Sequence, residues 1–194
     1  MISSKHHKEF TKFIKDGDYE ETDGGILIHS SAMIGGKYYH TVNGKDLQVD
    51  PNLLPAAGII DILDVYFGAD AKQTAFYLSL YSGNATPAST WTAANYDSNA
   101  TENTSQTEGY TGTNRPTWTP GVAAAGKIGN LSSRASYTIA ATTTVTFYGA
   151  GLHTAQARGA TSGVLPSATR FASARVLNDT DTFELGYEIE LTDS

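Results

Sequence analysis

The sequence predicts an all-β fold: an antiparallel β-sandwich, jelly-roll-like, of about eight short strands, with one short covering helix and an N-terminal arm. Three observations predict it. Only 17% of the 194 residues are charged, and Thr, Ala, Ser, Asn and 19 Gly take up the difference, a composition that suits short strands and turns better than a helical bundle. Near the C-terminus, Phe183, Leu185, Tyr187, Ile189 and Leu191 alternate with Glu184, Gly186, Glu188 and Glu190, the period of a strand with one face buried and an acidic row outside. Asn43-Gly44 is a strong hairpin signal, because both central positions of a type I′ turn need positive φ.

The elements follow in chain order. Ser3 to Lys15 has the pattern of a short amphipathic helix, capped by Ser3 or Ser4, with Phe10, Phe13 and Ile14 on one face and Gly17 at its end. At that length it must dock on something to be stable. Gly25 to His29 reads as a strand, Gly35-Gly36 as a turn, Lys37 to Val42 as a second strand and Leu47 to Val49 as its return, broken by Asp50-Pro51. Gly58 to Phe67 is the best interior helix, with Ile59, Ile62, Leu63 and Tyr66 sharing a face that should cover an open end of the sandwich.

From Thr74 onward the chain reads as strands and loops. Ala75 to Tyr81 alternates, with Phe76, Leu78 and Leu80 on one face. Ser82 to Gly112 is a long polar segment that needs a purpose or hides a helix, for which Thr90 to Tyr96 is the best stretch. Gly109 to Trp118 is expected to be a strand limited at Arg115-Pro116, and Tyr137–Ile139 with Thr144–Tyr148 a hairpin. Gly163 to Leu177 is extended, and Asn178-Asp179 opens a turn. The expected organisation is an arm over 1–23, a β-hairpin region over 24–52 and the sandwich over 53–194.

Charge narrows the partners. The formal net charge is −7, so nucleic acid is not expected as a partner. No apolar run is long enough to span a membrane, and the first 18 residues lack the apolar stretch of a secretory signal, so no membrane partner is expected. From Ala71 to Arg175 there are seven bases and three acids (Asp97, Glu102, Glu108), whereas the tail beyond carries six acids and no base. Such asymmetry fits either solvated faces or packing against copies of the chain or a partner.

Catalytic patterns do not assemble. With no cysteine there is no thiol nucleophile and no Cys-ligated metal. The first hairpin would bring His29 and His40 together as a two-histidine site, but a third ligand is missing. Asn178 to Asp181 lacks the glycine and glutamate of a calcium loop, and Gly149-Ala-Gly151 lacks the third glycine of a dinucleotide fingerprint; a turn and a close-packed strand are expected instead. Asp61 and Asp64 lie on the interior helix, where solubility or a subunit contact is the expected use. Neither an enzyme nor a cofactor nor a metal is expected. Trp91, Tyr96, Tyr110 and Trp118 would suit either a sugar-stacking platform or the core and protein interfaces, and low charge favours the latter.

Three stretches carry a resemblance: Phe76 to Tyr96, Glu108 to Pro120 and Ala160 to Leu165. Together they resemble small virion proteins of tailed bacteriophages, of the kind that decorate, or cement, an assembled capsid. The likeness runs from about Leu53 to the C-terminus. It implies a structural protein on the virion surface, made in the host bacterial cytoplasm, with the major capsid protein and copies of itself, as dimer or trimer, for partners. On that reading Phe10, Phe13 and Ile14 anchor the arm. The Arg115–Trp118 segment and the Trp91 loop, with Tyr96 and Tyr110, form contacts or hold the long loop. The alternative within the same resemblance is a head fibre, neck or tail component with receptor or glycan binding.

Overall fold

The computed structural model of the chain describes residues 19–22, 25–28 and 32–193. It divides into two units, Gly35–Glu190 and a smaller one of Met1–Ile34 with Leu191–Ser194. In the smaller unit β1 (Tyr19–Thr22) and β2 (Gly25–Ile28) pair antiparallel, Tyr19 opposite Ile28. Phe10, Phe13, Ile14 and His29 lie outside the described residues.

The larger unit is built on two antiparallel sheets. One has the order β11–β10–β5–β7, from β5 (Phe76–Tyr81), β7 (Thr117–Trp118), β10 (Thr144–His153) and β11 (Ser167–Asn178). The other has the order β4–β3–β12–β9–β6. Its strands are β3 (Ala32–Val42), β4 (Lys45–Pro51), β6 (Gly109–Tyr110), β9 (Ala135–Ala140) and β12 (Thr182–Asp193). β12 also pairs with the short β8 (Lys127–Gly129). Leu78, Leu80, Phe147, Phe171 and Leu177 of the first sheet pack on Tyr38, Tyr137, Ile139, Phe183, Leu185 and Tyr187 of the second, all in one buried cluster. Each such side chain contributes on the order of 2–3 kcal/mol when fully buried. The chain is thus the all-β antiparallel sandwich its alternation predicts.

Several expectations change in detail. β3 and β4 meet at Asn43-Gly44 with φ of 51° and 68°, the expected turn. This hairpin forms the edge of the larger sheet. Gly35-Gly36 is no turn but lies within β3, because a Cβ on Gly36 would sit 2.4 Å from the Glu188 carbonyl oxygen; the glycine lets β12 approach. The expected hairpin of Tyr137–Ile139 with Thr144–Tyr148 does not form. β9 pairs with β12 and β6, β10 with β11 and β5, so the chain between them crosses from one sheet to the other. The turn at Asn178–Asp181 makes a second such crossing, from β11 to β12, held by Asp181 accepting from the Asn178 amide at 2.8 Å. Gly109 to Trp118 forms two short strands, β6 and β7, in different sheets.

The helix α1 (Ala56–Phe67) forms where the apolar spacing places it. Its packing face differs from the expected one. Gly58 is buried, with Ala57, Asp61 and Val65 partly so, whereas Ile59, Ile62, Leu63 and Tyr66 point away from the sandwich. A second helix, α2 (Tyr96–Ala100), starts where Thr90–Tyr96 was expected to end. Asn95 Oδ1 accepts from the Thr92 amide at 2.7 Å and Thr92 Oγ1 from the Asn95 amide, so these side chains hold a turn there in place of a helix.

Candidate functional site

The long polar segment after β5 has a purpose: it roofs the outer face of the smaller sheet. β5 is buried on both sides, Leu78 and Leu80 facing the core, Ser79 and Tyr81 facing the roof. Tyr81, Trp91, Tyr96, Ala100, Leu165 and Ala168 form a second buried cluster there, with the Trp91 and Tyr96 rings edge-on at 6.0 Å.

One buried ion pair locks this roof. α2 ends at Thr101, held at φ 56°, and Asp97 Oδ1 accepts the Glu102 amide, so the Glu102 side chain enters the interior. Arg115 meets it in a two-pronged contact, Nε to Oε1 at 2.8 Å and Nη2 to Oε2 at 2.6 Å, and gives its remaining nitrogen Nη1 to the Ala155 carbonyl. Both side chains are at most 1% exposed. The Gly159 amide also donates to Glu102, so three loops converge on one carboxylate. Beside it Arg158 lies 3.7 Å over the Tyr110 ring and donates to the carbonyls of Asn103, Ser105, Tyr110 and Gly112. Burial pushes the Tyr110 phenol up to about 12.

A second lock joins the sheets where β11 meets β3 and β4. Arg175 Nε donates to His40 Nδ1 at 2.8 Å, and His40 Nε2 lies 2.7 Å from Asp50 Oδ2. Arginine can only donate, so Nδ1 is bare and the imidazole proton sits on Nε2, directed at Asp50. The other Asp50 oxygen accepts the Ala172 amide at 2.7 Å. Burial, reinforced by the Arg175 charge, pulls the His40 pKa down to about 4 although the Asp50 bond pulls the other way. His40 stays neutral at pH 7.

Ser79 Oγ lies 2.8 Å from His153 Nε2 and 2.8 Å from the Tyr96 hydroxyl. Nucleophile and base would be this close. All three side chains are enclosed, and His153 Nδ1 meets no partner that would orient the ring. The contact lies within the roof. Among the described residues no group of three His, Cys, Asp or Glu is placed to hold a metal. A surface cleft of about 410 Å³ runs beside β8, lined by Val122, Leu131, Lys127 and Glu188 among others.

The structure brings Trp91, Tyr96, Tyr110, Arg115 and Trp118 inside, none more than 5% exposed. Trp118 Nε1 donates to the Tyr187 carbonyl and its ring is edge-on to Phe76. A sugar platform from these rings is therefore not open in this structure. Tyr110 and Trp118 pack in the core between the sheets, and Trp91 and Tyr96 pack beneath the roof. Sequence reasoning missed Glu102, Arg158 and the His40–Asp50–Arg175 chain. One signal was present: three acids in a hundred residues of neutral loop and strand invite the question of what each one pairs with. Asp97 caps Glu102, Glu102 holds Arg115, and Glu108 accepts from Thr142.

Several large apolar side chains remain outside. Ile60, Tyr66 and Phe67 on α1, Leu47 and Val49 on β4, Val176 on β11 and Val122 before β8 are all exposed. No helix among the described residues is long and apolar enough to cross a membrane. No family model and no curated protein matches the chain.

Proposed function

We propose that the protein is a structural component of a tailed-phage virion that decorates the capsid and stabilises it by clamping neighbouring capsomers. The observation that carries this reading is the separation of exposed apolar surface into several places, on α1, on β4 and on β11, over a sandwich whose loops are locked from within. Scattered apolar residues are ordinary on any surface, but a dense apolar helix face marks an association site. A clamp must touch more than one neighbour and keep its own shape while doing so. A shell offers many identical sites, so each contact needs only modest affinity.

The three stretches that resemble virion proteins support the same reading through the fold. They supply Tyr81 of β5, Trp91, Tyr96 and Leu165, which share one buried cluster, and β7, which pairs with β5. They therefore carry the likeness as framework, and the shell contacts fall to the exposed surfaces.

Co-sedimentation with empty heads tests it. Purified chain is mixed with heads assembled from the major capsid protein of the same genome, then pelleted and imaged by cryo-electron microscopy. Saturable binding at a fixed number of copies per head is the expected result. Absence of binding to both immature and expanded heads would remove the decoration reading and leave a tail or receptor-binding part to be tested by glycan screening.

A further inference from the structure

Helix α1 is oriented against its own composition. At 100° per residue, Ile59, Ile60, Ile62, Leu63, Tyr66 and Phe67 share one arc about 160° wide. These six are 36–80% exposed, with Tyr66 at 80% and Phe67 at 79%. The opposite side, which meets the sandwich, carries Gly58, Asp61 and Val65. Gly58 makes that seating possible, since a Cβ there would lie 2.6 Å from the Pro166 carbonyl oxygen. Asp61 is held by Gln73, whose Nε2 donates to Oδ1 at 3.2 Å.

The helix is weakly supported from within. It has no side-chain hydrogen bond at its N-cap, no acid in its first turn and no base in its last. Isoleucine and valine are middling helix formers, and twelve residues are marginal without a packed face. A second apolar layer over the outward arc would supply what the sandwich does not.

We propose that the outward face of α1 is the seat of a second copy of this chain, the two helices packing antiparallel about a twofold axis near Leu63. Two features single out a copy as the occupant. First, the arc holds no charge: Asp61 and Asp64 fall outside it, so placing the face on itself brings no like charges together. Second, the area fits: six large apolar side chains exposed to this degree present roughly 700 Å² per copy, close to the ~800 Å² a standard interface buries on each partner. An anionic membrane is a poor alternative, because no Lys or Arg occurs from Ala56 to Ala71 and the neighbouring Asp61, Asp64 and Asp70 would be repelled. The inference concerns the free protein and holds or fails apart from any shell.

Sedimentation equilibrium on the full chain reads it. The expected mass at micromolar concentration is twice the chain's 20.6 kDa. Leu63→Asp should raise the dimer dissociation constant by about a hundredfold or more while leaving the far-ultraviolet circular dichroism unchanged. Val122→Asp, at a site 97% exposed on another part of the surface, should leave the dimer intact. The chain has no cysteine, so Leu63→Cys supplies a single thiol. It should cross-link between copies much faster than Val122→Cys does. A chain that stays monomeric at tens of micromolar, or a dimer unmoved by Leu63→Asp, overturns the proposal. A monomeric chain whose Leu63→Asp variant loses binding to capsid heads also overturns it, and gives the face to the shell.

Discussion

The roof around Arg115 and the helix α1 place charge and apolar surface the opposite way round from composition. In the roof, a guanidinium and a carboxylate sit at the centre of a neutral, Thr- and Asn-rich loop layer with at most 1% exposure. On α1, three isoleucines, a leucine and two aromatic rings stand outside. What decides burial is whether the partners are present within the chain. Arg115 finds Glu102 and the Ala155 carbonyl, and Glu102 finds the Gly159 amide, so the charges go in with their hydrogen bonds made. The α1 arc finds no surface to cover it among the described residues. A buried pair of this kind holds geometry more than it adds stability, whereas an exposed apolar arc has its energy still to gain.

The largest effect comes from breaking the pair on one side. Arg115→Met leaves the Glu102 carboxylate buried without its partner and should cost about 3–5 kcal/mol. For a domain of this size that lowers Tm by roughly 10 °C. Urea denaturation at pH 7 measures it. Adding Glu102→Leu to Arg115→Met should restore a large part of the loss, because removing both charges removes the desolvation cost as well. A single variant that loses under about 1 kcal/mol would mean that water reaches Glu102 and that the roof is no lock.

How far the sequence could foresee this contrast depends on the range of the forces involved. The strands were legible wherever alternation is local, as at Phe183–Tyr187, whose odd positions are fully buried as expected. The Asn43-Gly44 turn was legible for the same reason. Which sheet a strand joins was not: β9 and β10 are neighbours in sequence, and their separation rests on partners tens of residues away. Gly36 was legible as a special position but not as an approach site, because the atom it yields to belongs to β12. The face of α1 was misassigned since apolar periodicity reports only that a face wants cover, not whose surface covers it. The locks were illegible for a further reason. Glu102 and Arg115, or His40 and Arg175, become partners only after distant loops or strands have met.

The second effect in size is a dependence on pH in the lock between the sheets. The folded-state pKa of His40, about 4, lies below the ~6.5 of an unfolded histidine. The unfolded chain therefore binds the extra proton first as pH falls. The resulting stability is fully present above about pH 6.5 and is lost as pH falls from there toward 4. The shift corresponds to on the order of 3 kcal/mol. Burial and the Arg115 charge lower His153 too, so it adds in the same direction. Denaturant titrations at pH 7 and pH 4.5 should show the loss, and His40→Gln should reduce the difference between them. An identical pH dependence in that variant would assign the effect to His153 or to carboxylates.

A smaller effect sharpens the role of Gly58. Alanine is favoured over glycine in a helix by about 1 kcal/mol. At position 58 the new Cβ would lie 2.6 Å from the Pro166 carbonyl oxygen and 2.7 Å from its Cα, both backbone atoms with little freedom to retreat. Gly58→Ala should therefore destabilise by about 1–2 kcal/mol net, the reverse of the propensity sign. Hydrogen exchange of the α1 amides checks it, since the helix should lose protection before the sheets do. Increased stability would show that α1 rides freely on its loop.

The smallest expected effect, that of Leu63→Ala, is read against the same change in the core. Leu80→Ala opens a cavity between the sheets and should cost about 2–5 kcal/mol. Leu63→Ala, at half exposure on α1, should change stability by no more than about 0.5 kcal/mol when measured in dilute solution, where copies do not associate. Both variants remove the same three carbons, so the difference reports only what surrounds the side chain. The informative step is to repeat the pair at high protein concentration. Leu80→Ala should cost the same there, because its neighbours belong to its own chain. The cost of Leu63→Ala should grow with concentration as a second copy comes to surround it, by mass action on the dimer. A cost that is already large in dilute solution would mean that the single chain covers this face itself, and α1 would then belong with the roof as part of the core.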